Sequence, residues 1–306
     1  MAGELALNLA DINLSGLESW KIKVAADGGY AALSKVYIKE GKLDLLTLND
    51  GPDSFARDRA VAGCEFSASA KFPVVKTKAN MIALLPALCT QPILHKIKTR
   101  SGQYFNSAAT SLPGTYGTKW ILVSDTAADK NMHLQVDVKH RYSDAERTLL
   151  LASGTSNPAD GAPASDVFIL LESMTHADVA VAGVRTIELG PSYSDNMGEI
   201  RNAKFTAESQ ASENSVGAWS YDGGIKLTLE CEAKQTAATE LTRYGALGLL
   251  LNDWRITFIC GLILAGSGIM GLGWNLKHDK DSNGSAFVKI SATGIVPASS
   301  FAALWT

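Results

Sequence analysis

The residues of this 306-residue chain whose types could do chemistry are few and widely spaced. There is no H-E-x-x-H pair for zinc, no Walker A loop and no G-x-S-x-G turn for a serine nucleophile. A serine, histidine and acid triad can be dispersed in sequence, so an enzyme with a scattered site stays an alternative. We expect no catalytic residue, no metal site, no cofactor and no enzymatic activity. The histidines concerned are His95, His133, His140, His176 and His278.

Short motifs elsewhere favour turns and buried thiols rather than binding sites. Gly266-Ser-Gly-Ile-Met-Gly271 spells G-x-G-x-x-G, but the helix and the acidic residue about 20 positions on that a dinucleotide site requires are not in the sequence. Asp50-Gly-Pro-Asp53 resembles part of a calcium loop without its remaining ligands, which predicts a turn. The four cysteines stand apart without a C-x-x-C pair, which favours structural thiols; they are Cys64, Cys89, Cys231 and Cys260.

Composition and charge narrow the class of protein. Hydrophobic residues make up 46% and charged residues 19%, which is a globular composition. A formal net charge of −3 and a pI near 6.0 argue against a nucleic-acid-binding surface. A weakly acidic wall would nevertheless let DNA pass without holding it, because it repels phosphates. The first residues carry no basic and apolar pattern of a secretory signal.

The elements that must position any site are mostly strands. Apolar and polar residues alternate through 65–74, which is the period of two expected of a half-buried antiparallel strand. Apolar stripes predict helices over 77–88 and 237–251. We therefore predict a mainly β (α+β) fold with two tandem β-sandwich or barrel domains, each with a flanking helix. The other predicted strands are 20–25, 33–38, 42–48, 119–124, 132–140, 147–152, 167–171, 179–189, 203–208, 224–232 and 286–295.

Parts of the sequence recur. Residues 65–72 match 224–231 with their apolar positions in step, and Lys139-His140 with its following run matches Lys277-His278. Such recurrence without repeated chemistry favours a building block over a catalyst. The small and polar residues of 156–166 predict a linker between a first domain, 1–155, and a second, 167–306. Residues 99–118, rich in Ser, Gly, Thr and Tyr, predict a long arm in the first domain.

The apolar segment 256–276 competes with that organisation, since its length suits a transmembrane helix. Its glycines instead favour a β-hairpin that turns at Gly266-Ser267 and packs on a neighbouring subunit. Burial of the segment in the chain's own core is the remaining alternative. The predicted subunit-interface residues in the hairpin and the arm are Ile256, Phe258, Leu262, Ile263, Leu264, Ile269, Met270, Leu272, Trp274, Tyr104, Phe105 and Tyr116.

In organisation the chain resembles bacteriophage tail tube proteins, also called major tail proteins. The resemblance lies in the alternating strands 65–74 and 224–232, each followed by its helix, and in the hairpin and arm. It implies a virion structural protein, made in the host cytoplasm, whose rings stack into the tail tube through which DNA is ejected. Two such domains in one chain imply a trimer with pseudo-sixfold symmetry. Sheath, neck and tail-tip proteins are the further partners that it implies, with no membrane contact.

Two other classes of protein remain as alternatives. One is a different structural protein, such as a capsid decoration protein or an adhesin. The other is a membrane-anchored protein that uses 256–276 as its anchor.

Overall fold

The fold is described by a computed structural model. It covers residues 16–24, 29, 31–33, 38–49, 61–77, 85, 88, 93–106, 117–153, 159–161, 175–193, 195–215, 217, 219–234, 253–266, 273–280 and 286–306. Antiparallel strands make up most of those residues, with helices α1 (Asp144–Ser153) and α2 (Ala298–Phe301), so the mainly β prediction is confirmed.

The described strands are numbered in chain order. In chain order they are β1 (Leu17–Val24), β2 (Ala31–Ala32), β3 (Lys39–Asn49), β4 (Val61–Pro73), β5 (Ile93–Thr99), β6 (Tyr104–Asn106), β7 (Gly117–Asp125), β8 (His133–Ser143), β9 (Val184–Leu189), β10 (Asp195–Asn196), β11 (Ile200–Glu213), β12 (Trp219–Lys234), β13 (Trp254–Phe258), β14 (Ile263–Gly266), β15 (Gly273–Lys280) and β16 (Ala286–Pro297).

The strand order of the first half recurs in the second. Two small sheets have the orders β2-β1-β5-β6 and β10-β9-β13-β14. One large sheet runs β3-β4-β8-β7-β11-β12-β16-β15, which is one quartet, β3-β4-β8-β7, followed by a second quartet of the same order, β11-β12-β16-β15. The two quartets join where β7 pairs with β11. The prediction of two separate domains divided at 156–166 stays a prediction.

Bulges fix which residues of the two quartets are equivalent. In β3 the ladder to β4 shifts between Lys39 and Lys42, and in β11 the ladder to β12 shifts between Arg201 and Lys204. Each bulge holds a non-glycine residue at positive φ, Glu40 at 54° and Asn202 at 50°. Superposing these bulges matches residues 63–73 with 224–234.

Two predicted sequence matches are therefore corrected. The match of 65–72 with 224–231 is two residues out of register, because a slip of two leaves a period-two pattern unchanged. The match of Lys139-His140 with Lys277-His278 is wrong, since the first pair lies on β8 and the second on β15, strands that hold different places in their quartets.

The core lies between the large sheet and the two small sheets. Trp20 of β1 meets Phe72 of β4 edge-on at 5.7 Å between ring centroids, and Phe258 of β13 meets Phe205 of β11 at 5.3 Å. All four side chains are buried. Each small sheet thus packs on its own quartet, which leaves the opposite face of the large sheet polar.

The structure differs from the predicted elements at two places in the first half. Residues 147–152 belong to α1 rather than to a strand, since Ser143 caps the helix and the Glu146 carboxylate accepts from the Ser143 N–H at 2.9 Å. β6 takes part of the predicted arm 99–118, and residues 107–116 of that arm lie outside the described residues.

Three other predicted elements are described only in part or not at all. Of the predicted helix 77–88, Leu85 and Leu88 are helical and buried. The predicted helix 237–251 and the predicted strand 167–171 lie outside the described residues.

The predicted hairpin over 256–276 is wrong in its turn. The chain reverses at 259–262, where the Phe258 N–H donates to the Leu262 carbonyl at 2.8 Å and Gly261 adopts a φ of 90°. β13 and β14 flank that turn, and β15 belongs to the large sheet. No helix among the described residues is long and apolar enough to cross a membrane.

Candidate assembly edges

The feature that stands out in the described part of the chain is the pair of outer edges of the large sheet. Among the described strands, β3 pairs only with β4 along one side, and β15 only with β16 along the other. The side chains of Leu45 and Leu46 on β3 are 37% and 60% exposed. A long edge strand with exposed leucines is a template for pairing with another chain.

The junction between the quartets shows how two such edges fit together. β7 and β11 pair antiparallel, with Ala207 opposite Leu122 and Glu208 opposite Ile121. Lys119 forms an ion pair with Glu208 across the junction at 2.6 Å. Beyond the last ladder pair, the Trp120 N–H donates to Ser209 Oγ at 2.9 Å, and Ser209 Oγ donates to the Trp120 carbonyl oxygen at 3.2 Å.

The outer edges are the counterparts of the two strands joined at that junction. β3 holds in the first quartet the place that β11 holds in the second, and β15 holds the place of β7. The outer edge of β15 is therefore equivalent to the edge of β7 that pairs with β11. The outer edge of β3 is likewise equivalent to the edge of β11 that pairs with β7.

Around Glu65 and Glu213, charges on the polar face of the large sheet are paired with one another. The Glu65 carboxylate accepts from Arg141 at 2.9 Å, and the Glu213 carboxylate accepts from Lys139 at 3.0 Å and lies 3.2 Å from Arg141. The hydrogen bond from Lys139 and the two cations hold the pKa of Glu213 below its ordinary range. This stretch of the face offers a polyanion no cluster of unpaired cations.

Two open cavities on the large sheet lie beside the bulges. One of about 460 Å³ is lined by Lys39, Asp129 and His133 among others, and one of about 360 Å³ by Asn202, Glu232 and Lys289 among others. Asp129 is already paired with Lys39 and lies 3.4 Å from His133 Nδ1. Because the two cavities are lined by different residues, they do not indicate a ligand common to both. Within the described ranges no three His, Cys, Asp or Glu side chains converge as a metal site would require.

Most of the described residues of the predicted interface lie inside the chain's own core. Burial leaves little area of these side chains for a neighbour to cover, which favours a core role for them; they are Ile256, Phe258, Leu262, Leu264 and Phe105. Ile263 and Tyr104 are partly exposed and stay candidates. Trp274 lies on the outer strand β15, whereas Ile269, Met270, Leu272 and Tyr116 fall outside the described residues.

Sequence reasoning missed the leucines of β3 as an edge. The run Leu43-Asp-Leu-Leu46 places leucines on both faces of a predicted strand, which is unusual for a strand with one face in water. That pattern was the indication in the sequence.

A scan against protein-family models finds no family that matches this chain, and a search of characterised proteins finds none with significant similarity.

Proposed function

We propose that the chain is a structural virion protein of the tail tube kind, which assembles with itself into rings that stack around a lumen. The observation that carries the proposal is the large sheet, in which two quartets of equal strand order end on edges equivalent to those of their own junction.

Repetition of the junction between chains builds the ring. If β15 of one copy pairs with β3 of the next, the contact between copies repeats the β7–β11 pairing that joins the two quartets within each copy. Such a contact is heterologous, and it closes into a ring when the rotation per quartet divides a full turn. Six quartets in a closed ring are three chains, which is the trimer with pseudo-sixfold symmetry. Closure also removes the exposed edges that otherwise invite aggregation.

The lumen follows from the number of strands. Three eight-stranded sheets make a barrel of about 24 strands, and barrels of 16–18 strands already enclose a water-filled channel. The apolar face of the sheet is covered by the small sheets, so the polar face is the one left to line the lumen. The paired charges around Glu65 and Glu213 suit a conduit, because DNA binds through release of counterions by unpaired cations. Sheath, neck and tail-tip proteins would then contact the outer surface of the tube.

The experiment is negative-stain microscopy of the purified full chain, with its mass in solution measured by light scattering. Rings or hollow tubes built from trimers support the proposal. A compact monomer at every concentration overturns it, and closed shells of another geometry would assign the chain to a capsid decoration protein instead.

A matched pair of variants locates the contact. Leu45→Asp places a charge on the β3 edge, and Ile295→Asp places one on the exposed face of β16, away from either edge. Both side chains are exposed, so both variants should stay folded by circular dichroism. Assembly should be lost for Leu45→Asp and kept for Ile295→Asp. Equal assembly of the two would show that the β3 edge is not the contact.

A further inference from the structure

We infer that strand β15 of one copy pairs with strand β3 of the next in one defined register, in which Thr47 bonds the backbone of Leu276 as Ser209 bonds that of Trp120. This inference rests on the proposed self-assembly and adds its register and its polar contact.

The equivalence of Thr47 and Ser209 follows from the ladders. Superposing the bulges matches Cys64 with Ile225, two buried residues of the central strands. Thr47 lies opposite Cys64, and Ser209 lies opposite Ile225. The two hydroxyl residues therefore take the same place on β3 and β11, on the face of the sheet that holds the core.

The equivalence of Leu276 and Trp120 follows on the other side of the quartets. The same superposition matches Ala70 with Cys231. Their partners are Val136 on β8 and Ile290 on β16, and the partners of these are Trp120 on β7 and Leu276 on β15. Leu276 thus stands on the outer edge where Trp120 stands at the junction.

Chemistry at the two sites agrees with this register. Ser209 is fully buried and bonds both the N–H and the carbonyl oxygen of Trp120 where the ladder stops. Thr47 offers the same hydroxyl on an exposed edge strand, ready to bond the N–H and carbonyl of residue 276 in a neighbour. By the same equivalence Leu45, the counterpart of Ala207, lies opposite His278, the counterpart of Leu122.

The hydroxyl is tested by a conservative pair of substitutions. Thr47→Val keeps the shape and removes the hydroxyl, and should raise the critical concentration for assembly roughly tenfold. Thr47→Ser keeps the hydroxyl and should assemble like the unaltered protein. Thr293→Val, at an exposed position on the non-edge strand β16, is the control and should change nothing. Normal assembly of Thr47→Val, or equal loss in Thr47→Ser, would overturn the role of the hydroxyl.

The register is tested by cysteine pairs under mild oxidation. Leu45→Cys with His278→Cys should give disulfide-linked oligomers on a non-reducing gel, since directly opposed residues are close enough to bridge. Leu43→Cys with Leu276→Cys tests the register that the sequence match alone would give. Cross-linking of that second pair and not the first overturns this inference while leaving self-assembly intact. If the unaltered protein forms no oligomer at all, the proposed function fails instead.

Discussion

Trp20 and His95 are joined by a buried hydrogen bond in which the indole N–H donates to His95 Nδ1 at 3.0 Å. An indole nitrogen can only donate, so Nδ1 carries no proton. The proton of the neutral ring is on Nε2, which donates to Thr118 Oγ1 at 3.0 Å. The histidine therefore ties β1 and β5 to β7 as a neutral group, and protonation of Nδ1 would break its bond to Trp20.

Stability should fall in acid because of this histidine. Burial lowers the pKa of His95 to about 3, whereas an unfolded histidine titrates near pH 6.5. Between those values the unfolded state holds the extra proton, so stability is full above about pH 6.5 and is lost as the pH falls, by up to about 1.4 kcal/mol per pH unit. Burial also lowers the pKa of His133 and His140, which adds to the effect.

The variant His95→Gln isolates the contribution of His95. Gln can accept from Trp20 and donate to Thr118 without titrating, so the decline in unfolding free energy between pH 6.5 and 4 should be shallower than in the unaltered protein. Urea unfolding at a series of pH values measures it. His176→Gln, at an exposed position, serves as the control. An unchanged slope in His95→Gln would refute the assignment.

Asp160, in the described part of the predicted linker, should anchor that segment to the first small sheet. Its two oxygens lie 2.5 Å from Lys21 Nζ and 2.6 Å from Lys96 Nζ, and these lysines are cross-strand partners. Burial by itself would raise the pKa of Asp160, but the hydrogen bonds from Lys21 and Lys96 outweigh it and place the pKa below its ordinary range. The stabilisation is therefore present above about pH 4 and lost as the pH falls through the folded-state pKa.

Asp160→Asn should cost roughly 1–2 kcal/mol at pH 7, discounted because the Asp160 side chain is 42% exposed while that of Lys96 is only 7% exposed. Denaturation at pH 7 and pH 3 measures it, and the difference from the unaltered protein should shrink at the lower pH. Glu18→Gln breaks the more exposed Lys98–Glu18 pair and should cost less than about 0.5 kcal/mol. Equal costs for the two variants would contradict the anchoring role.

Ser209 should matter to stability out of proportion to its size. Ser209→Ala would leave the N–H and carbonyl of Trp120 without their partner in a fully buried place, at a cost of roughly 2 kcal/mol. Ser291→Ala, on the exposed face of β16, should cost almost nothing. Thermal or urea unfolding compares them. A cost below 0.5 kcal/mol for Ser209→Ala would show that water or a shifted strand replaces the hydroxyl.

Much of the large sheet follows from the sequence, because a strand with one buried face must alternate. The predicted strands at 42–48, 65–74, 119–124, 132–140, 203–208, 224–232 and 286–295 all lie within or largely overlap observed strands. β5 was missed because it buries His95 and Lys96, which break the alternation of apolar residues. The Ser143-x-x-Glu146 capping box marked the start of α1 in the sequence, although the leucines after it fit a strand equally well.

The candidate site was beyond the sequence for a different reason. An apolar run such as 256–266 has the same composition in a core as at an interface, and only the pairing of β13 with β9 shows that its side chains face inward. The register between the quartets was also hidden, because Gly63 and Gly224 align only when the bulges are seen. The recurrence of a strand pattern could be inferred from the sequence. The identity of the outer edge strands, β3 and β15, could be known only from the topology of the large sheet.

Gly63 lies on β4 beside the point where the β3–β4 ladder shifts register, between Leu48 and Asn49. Its φ is +151°, and a Cβ there would lie 1.9 Å from the Tyr142 carbonyl oxygen, a backbone atom that pairs the strands. Gly63→Ala should therefore cost at least about 3 kcal/mol, because the β4–β8 ladder must separate. Gly102 also has a positive φ, +86°, but nothing lies within 4 Å of a Cβ, so Gly102→Ala should cost only about 1 kcal/mol. Urea unfolding of both variants separates the cost of the contact with Tyr142 from the cost of backbone strain. Similar losses of unfolding free energy in the two variants would mean that the β4–β8 ladder shifts easily to make room for the Cβ. Gly63 lies opposite Leu48 of β3, so Gly63→Ala should disturb the edge strand and weaken assembly as well.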